Sequence, residues 1–288
     1  MTITIGVHNS NPTLYYLSRL DYAQEELAAV GESAAFHTYV NGVRTGQLLT
    51  EGVIDFGGTG STPPVTAQAA GHDIVYTAVS APRPDHGALL VAEDSPVRTV
   101  ADLKGGTVHL AIGSWQTHLI AKALDDAGLS YATDITPVRG GEDSESLLRA
   151  GGIAAWVAQG AQLVAALRAG GVRVVVRTGD VITDRSVFFT RRELAEERPE
   201  IVAALTRALQ RADDWAAAHP REAAEIAAAH QGGTVEDWES ALRALPWRIE
   251  EVGDAFVAEQ QQAADIFVRT GFIDRPVTVA HALPRKAA

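Results

Sequence analysis

The segment Gly57-Gly58-Thr59-Gly60-Ser61-Thr62-Pro63-Pro64 follows a short apolar run, Ile54–Phe56, and opens a helical pattern that continues through Ala70. Glycines let a backbone approach a ligand closely, and the Thr59, Ser61 and Thr62 side chains offer hydroxyl donors. Proline is tolerated in a first helical turn, where N–H groups lack partners anyway. Such a turn, with the positive end of the helix dipole, favours a bound anion. A second segment of the same design is Ile112-Gly113-Ser114-Trp115-Gln116-Thr117-His118. Ser114 is its natural cap, and Thr117 and His118 fall in the first turns. Either segment alone reads equally well as an ordinary capped helix start. Two of them facing one cleft point to an oxyanion site, with Thr59, Gly60, Ser61, Thr62, Ser114, Trp115 and His118 as candidate contacts.

Other groups could join them. The first strand runs into His8-Asn9-Ser10-Asn11; the Asn side chains there, Asn9 foremost, either donate to an oxyanion or cap the helix beginning at Pro12. His8, His86 and His118 are the candidates for acid–base chemistry, against the plainer reading of satisfied histidines. Arg185 precedes a strand, and its fork could hold two oxygens of an anion; a surface ion pair is the competing reading. Arg139 has a weaker claim of the same kind. Trp115 and Trp156 suit a core or a cleft wall around an organic group. No His-x-x-x-His or Glu-x-x-His spacing, no GxGxxG after a strand and no Walker-type lysine occurs, so neither metal nor cofactor is expected.

The elements that must position these residues alternate. Strand candidates are 2–7, 34–40, 54–57 and 73–79, with helical patterns at 12–26, 43–50 and 63–70. A second unit has strands at 88–92, 107–112, 135–138, 152–157 and 172–177, with helices at 117–127, 143–149 and 161–169. One more strand, Val187–Thr190, precedes helices only, at 193–197, 199–219, 221–230, 235–245 and 252–270. Alternation argues for βαβ units and parallel sheets covered on both faces. The expected fold is α/β: two doubly wound, Rossmann-like lobes with a hinge, followed by C-terminal helices. Residues 1–87 with 186–288 would form one lobe and 88–185 the other. Crossings near Arg83–Gly87 and Asp180–Arg185 would make the hinge, with the strands' carboxyl-end loops facing across the cleft.

Composition narrows the partners. The chain has 288 residues, 46% hydrophobic and 21% charged, with a formal net charge of −12. That field disfavours nucleic acid and acidic membrane surfaces, while a local ring of donors still outweighs it for one small anion. Cysteine is absent, which removes disulfides, thiolate nucleophiles and zinc–thiolate sites. Met1–Val7 reads as a strand start and not as a secretory leader. Either the chain is cytoplasmic, or a leader was removed and the protein works outside the cytoplasm. No apolar run is long enough to cross a bilayer. A monomer is expected, since the cleft must open and close.

The run Ile54-Asp55-Phe56-Gly57-Gly58-Thr59-Gly60-Ser61-Thr62-Pro63-Pro64-Val65-Thr66-Ala67-Gln68-Ala69-Ala70-Gly71 resembles the signature stretch of aliphatic sulfonate-binding proteins of ABC importers. Asp94–Gly105, Gly113-Ser114 with His118, and Ala121–Leu129 continue the resemblance, which extends from Ile3 to about Phe272. It implies a type II periplasmic-binding fold that closes on one small organosulfonate-type anion and presents it to an ABC permease. Carried over to the pocket would be Thr59, Ser61 and Thr62 in one lobe and Ser114 and His118 in the other. The chain departs from relatives at Ala154–Gln162, where they commonly read Asp-Ala-Trp and then Trp-Asp-Pro-Tyr. That leaves room for a different or bulkier organic group. Desulfinases resemble the chain too, but their cysteine nucleophile is missing. A cytoplasmic enzyme using His8, His86 or His118 is the alternative reading, and a cytoplasmic sensor a third.

Overall fold

The computed structural model describes residues 1–8 and 10–285; Asn9 lies outside the described residues. Two mixed sheets form two lobes. The chain lays down β1 (Thr2–Val7), β2 (Ser33–Thr38), β3 (Phe56–Thr59) and β4 (Ile74–Ser80) before crossing to the second lobe. There it forms β5 (Gly87–Ala92), β6 (Thr107–Leu110), β7 (Thr136–Arg139), β8 (Ala155–Gln159) and β9 (Val172–Arg177). It then returns with β10 (Val187–Arg191) and a two-residue edge strand, β11 (Ile249–Glu250). Strand order is β11-β4-β10-β3-β1-β2 in the first sheet and β7-β6-β8-β5-β9 in the second.

The sheets are not wholly parallel, as simple alternation suggests. β10 runs antiparallel between β3 and β4, and β5 runs antiparallel between β8 and β9. The reason lies in the crossings. β4 and β9 end at the hinge, so a strand that begins there must run away from it. The edge strand β11 also runs antiparallel to β4, while β1 with β2 and β3, and β6 with β7 and β8, are parallel as expected.

Helices follow in chain order: α1 (Pro12–Leu17), α2 (Tyr22–Ala28), α3 (Thr45–Thr50), α4 (Thr62–Ala69), α5 (Trp115–Asp126), α6 (Ser144–Arg149) and α7 (Gly160–Ala169). The tail adds α8 (Arg192–Glu197), α9 (Pro199–Ala218), α10 (Pro220–Gln231), α11 (Val235–Arg243) and α12 (Asp254–Arg269). The single helix expected over 12–26 is broken: the Ser18 hydroxyl donates back to the Tyr15 carbonyl at 2.8 Å and a turn intervenes before α2. Such back-bonding competes with helix continuation.

In α9, Pro199 occupies the first turn, and Ile201, Ala204, Leu205, Ala208, Leu209 and Ala212 are buried at helical spacing. That stripe packs on Ile3, Ile5, Phe56 and Phe188 to form the core beneath the first sheet. α12 buries Phe256, Ala263, Ala264 and Phe267 and contacts both α4 and α5. It therefore lies along both lobes, and the Ala132 N–H donates to its C-cap carbonyl at Thr270 at 3.1 Å. Among the described residues no helix is long and apolar enough to cross a membrane.

Candidate functional site

A cavity of about 170 Å³ lies between the lobes. Six of the strand-end loops nominated by the alternation reach it. From the first lobe come Asn11 after β1, Asn41 and Gly42 after β2, and Thr59 and Gly60 at the end of β3. From the second come Gly113, Ser114 and Trp115 after β6, Arg139 at the end of β7, and Gln159 at the end of β8. This is where open α/β sheets hold ligands.

The two helix starts contribute differently. Pro63 and Pro64 carry no N–H, so α4 offers few first-turn donors. On this side the donors are loop groups, and the Gly60 and Ser61 N–H groups make no backbone hydrogen bond among the described residues. In α5 the Ser114 Oγ accepts the Gln116 N–H at 3.1 Å, and the N–H of Trp115, the first helical residue, has no intrahelical partner. Gly60 and Trp115 face each other closely. A Cβ on Gly60 would lie 3.0 Å from the Trp115 Cβ and 3.5 Å from its backbone nitrogen.

At the hinge stands Arg83, 4% exposed. Its Nη1 donates to the Ser186 hydroxyl at 3.1 Å, and its Nη2 pairs with the Asp184 carboxylate at 2.9 Å. Its Nε is buried with no partner among the described residues. A buried, unsatisfied guanidinium N–H beside an anion-sized cavity is costly unless something accepts from it. His86 Nδ1 meets the same Asp184 carboxylate at 2.8 Å. Burial alone would raise Asp184, but Arg83 and His86 outweigh it and hold the carboxyl below its ordinary range. His86 is held below its ordinary value by burial and then by Arg83, against the pull of Asp184. Asp184 also has φ +41°, in the left-handed region that side chains other than glycine's rarely adopt. Such strain persists only where surrounding contacts over-determine the backbone.

The structure sorts the nominated residues. Thr59, Gly60, Ser114 and Trp115 line the cavity. Ser61, Thr62 and His118 lie beside it, in the seam between the lobes. The Thr62 hydroxyl donates to the Ser114 carbonyl at 2.7 Å, and the Ser61 hydroxyl meets His118 Nδ1 at 3.0 Å. Thr59 turns its hydroxyl onto the Gly60 carbonyl at 2.9 Å. Arg185 is a correction. Its guanidinium is held by Glu250 at 2.6 Å, Glu259 at 3.1 Å and the Ser80 carbonyl at 2.8 Å, and it does not line the cavity. Two other arginines do: Arg83, on the other crossing, and Arg139, at the end of β7. Asn11 lines the cavity and also caps α1, its Oδ1 accepting the Leu14 N–H at 3.0 Å; Asn41, Gln159 and Ser186 were not singled out, and their positions beside strand ends were the only available signal.

Of the three nominated histidines, only His8 lines the cavity, and each is already engaged. His8 Nε2 bonds the Gly58 carbonyl at 3.1 Å, and burial lowers its pKa to about 4. Burial lowers His118 to about 4 as well. Both are neutral near pH 7. Among the described residues no group of three or more His, Asp or Glu side chains could hold a metal ion.

Residues 33–223 match the family model described as NMT1/THI5 like. The chain is 34% identical over 235 residues, 81% of its length, to an aliphatic sulfonates-binding protein of Escherichia coli K12, covering 73% of that protein. Among solved structures it is similar to the periplasmic aliphatic sulphonate binding protein SsuA from Escherichia coli. The TM-score is 0.85 at 29% identity, with 100% of this chain and 94% of that one covered. It is also similar to the alkanesulfonate-binding protein SsuA from Xanthomonas axonopodis pv. citri bound to MOPS, with TM-score 0.84 and 25% identity, over 98% and 97% of the two chains. Fold, strand-end cleft and relatives agree, and the chain belongs to the NMT1/THI5-like family of two-lobed binding proteins.

Proposed function

We propose that this protein is the substrate-binding component of an ABC importer, and that it captures an organosulfonate by its charged head in the interlobe cavity. The observation that carries this reading is that Arg83, a buried cation at the hinge with an Nε unpartnered among the described residues, lines a cavity also lined by Thr59, Gly60 and Ser114. A sulfonate is ionised at all physiological pH values and presents three acceptor oxygens. It needs fixed donors and not a tuned base, which suits a site whose neighbouring histidines are buried and neutral. The named ligands of the relatives above support the same class.

The cavity is built from both lobes, so ligand and closure are coupled. An anion that accepts from Arg83 and from strand-end N–H groups of both lobes binds the closed form better than the open one, and only such a difference shifts the equilibrium. The Thr62–Ser114 and Ser61–His118 contacts then act as closure contacts and not as ligand contacts. Each cleft is complete within one chain, which suits a monomer.

Thermal melting against ethanesulfonate, benzenesulfonate, sulfate, nitrate, methylphosphonate and acetate tests the reading. A ligand at a hundredfold excess over its Kd adds about 2.7 kcal/mol and raises the melting temperature by at least about 2 °C. Selective shifts with sulfonates recovered unchanged are expected. A chemically altered sulfonate would establish an enzyme instead, and no shift with any sulfonate would remove the oxyanion reading.

A further inference from the structure

The oxyanion cavity adjoins a second, much larger one. At about 170 Å³ the first holds a head group and little beyond it. The second encloses about 660 Å³, within the range of cavities that hold a sizeable organic molecule. Ser10 and Gln159 line both. Gln159 is fixed at this junction, because its Oε1 accepts from Trp115 Nε1 at 3.1 Å and from Gln116 Nε2 at 3.0 Å. Its amide N–H groups have no protein acceptor among the described residues.

The larger chamber has an apolar stretch of wall built from both lobes. Trp156 and Leu163 line it from the second lobe, and Tyr15, Trp238 and Leu245 from the first. The Trp238 Nε1 already donates to the Gly232 carbonyl at 2.7 Å, which satisfies the polar end of the indole. Its ring sits over Gly160, where an added Cβ would be 3.8 Å from Cζ3. An ion pair between Arg168 and Asp237, at 2.7 Å, joins α7 to α11 beside this contact. Exposed charges stand among the lining residues, the carboxylates of Asp85 and Glu142 and the guanidinium of Arg177.

We propose that this chamber receives the organic half of the ligand, and that the protein selects a monoanionic sulfonate carrying a bulky aromatic or alicyclic group over short alkanesulfonates. The inference rests on the oxyanion reading above. A two-carbon sulfonate ends near Gln159 and leaves the chamber to water. A longer tail moves from water onto apolar walls at about fourfold in affinity per methylene equivalent, and an aromatic tail gains further from the Trp and Tyr rings. The carboxylates of Asp85 and Glu142 outnumber the lining guanidinium of Arg177 and oppose a second negative charge on that tail.

Titration calorimetry of the whole protein with ethanesulfonate, hexanesulfonate, naphthalene-2-sulfonate, benzenesulfonate and benzene-1,3-disulfonate tests the proposal. Naphthalene-2-sulfonate is expected to bind at least a hundredfold more tightly than ethanesulfonate, with hexanesulfonate between them. The disulfonate is expected to bind at least tenfold more weakly than benzenesulfonate. Trp238→Ala narrows the naphthalene-to-ethane ratio by about tenfold. The ligand series on the unmodified protein decides the matter even where that variant folds poorly. A flat or falling series, with ethanesulfonate still binding, overturns the chamber and leaves the oxyanion site standing. Failure of every sulfonate to bind overturns both.

Discussion

Thr62, in the first lobe, donates its hydroxyl hydrogen to the carbonyl oxygen of Ser114, in the second, at 2.7 Å. The bond ties the start of α4 to the cap of α5. Both residues belong to segments that look like ligand contacts, yet here one holds the other. The closed cleft is thus secured partly by contacts that the open form must give up.

Thr62→Val keeps the shape and removes the hydroxyl. One neutral hydrogen bond contributes about 0.5–1.5 kcal/mol, so sulfonate affinity should fall roughly two- to thirteenfold, with the ligand-free melting temperature nearly unchanged. Calorimetry and melting together check this. A large loss of ligand-free stability with unaltered affinity would place the bond outside closure.

Gly60→Ala tests how closely the lobes approach. The new Cβ would lie 3.0 Å from the Trp115 Cβ and 3.4 Å from its Cδ1. Overpacking of this kind costs about 1–3 kcal/mol, charged here to the closed state alone. Affinity should drop roughly five- to hundredfold, read by calorimetry, while ligand-free stability stays within error. An unchanged affinity would mean that the bound state is not this closed.

The two hinge arginines should behave oppositely. Arg83→Gln leaves the buried Asp184 carboxylate without its guanidinium, a change worth about 3–5 kcal/mol of stability, and should abolish sulfonate binding. Adding Asp184→Asn should restore much of the stability and none of the binding. Arg185→Gln breaks part-buried pairs with Glu250 and Glu259; affinity should change less than about twofold, since it touches no cavity wall. Binding that survives in the Arg83 variants would remove that residue from the site.

Stability should depend on pH through groups of opposite sign. Burial lowers His8 and His118 from the ordinary 6.5 to about 4, so the unfolded chain binds their protons first as pH falls. Their contribution is full above about pH 6.5 and drains away towards pH 4, on the order of 3 kcal/mol each. Burial raises Asp213 from 3.8 to about 7, even though Thr13 donates to it at 2.8 Å. Its neutral form is favoured in the fold, so that contribution is lost as pH rises from about 4 to 7. Melting curves from pH 4 to 8 should show His118→Gln flattening the acid limb. Asp213→Asn, which can still accept from Thr13, should raise the melting temperature at pH 8, and a fall there would contradict this assignment.

Element order, two α/β units and the helical tail were legible in the sequence, because periodicity and punctuation are local. β9 spans the expected Val172–Arg177, and β1 the expected Thr2–Val7. The strand-end loops carrying Thr59, Gly60, Ser114 and Trp115 were legible for the same reason: a strand ending in glycine and hydroxyl residues before a helix is a local pattern. What stayed hidden is decided by how distant segments meet. The antiparallel settings of β5 and β10 depend on which end of the sheet each crossing reaches. Arg83 and Arg185 sit near the two hinge crossings with equal claims; only packing turns Arg83 to Asp184 and the cavity, and Arg185 to Glu250 and Glu259. Ser61 and Thr62 carry the right chemistry, but lobe closure directs it at His118 and Ser114. The sequence by itself determined which residues stand at the strand ends. Tertiary structure decided which of them face the ligand, because that choice belongs to contacts between lobes and not to the chain's local preferences.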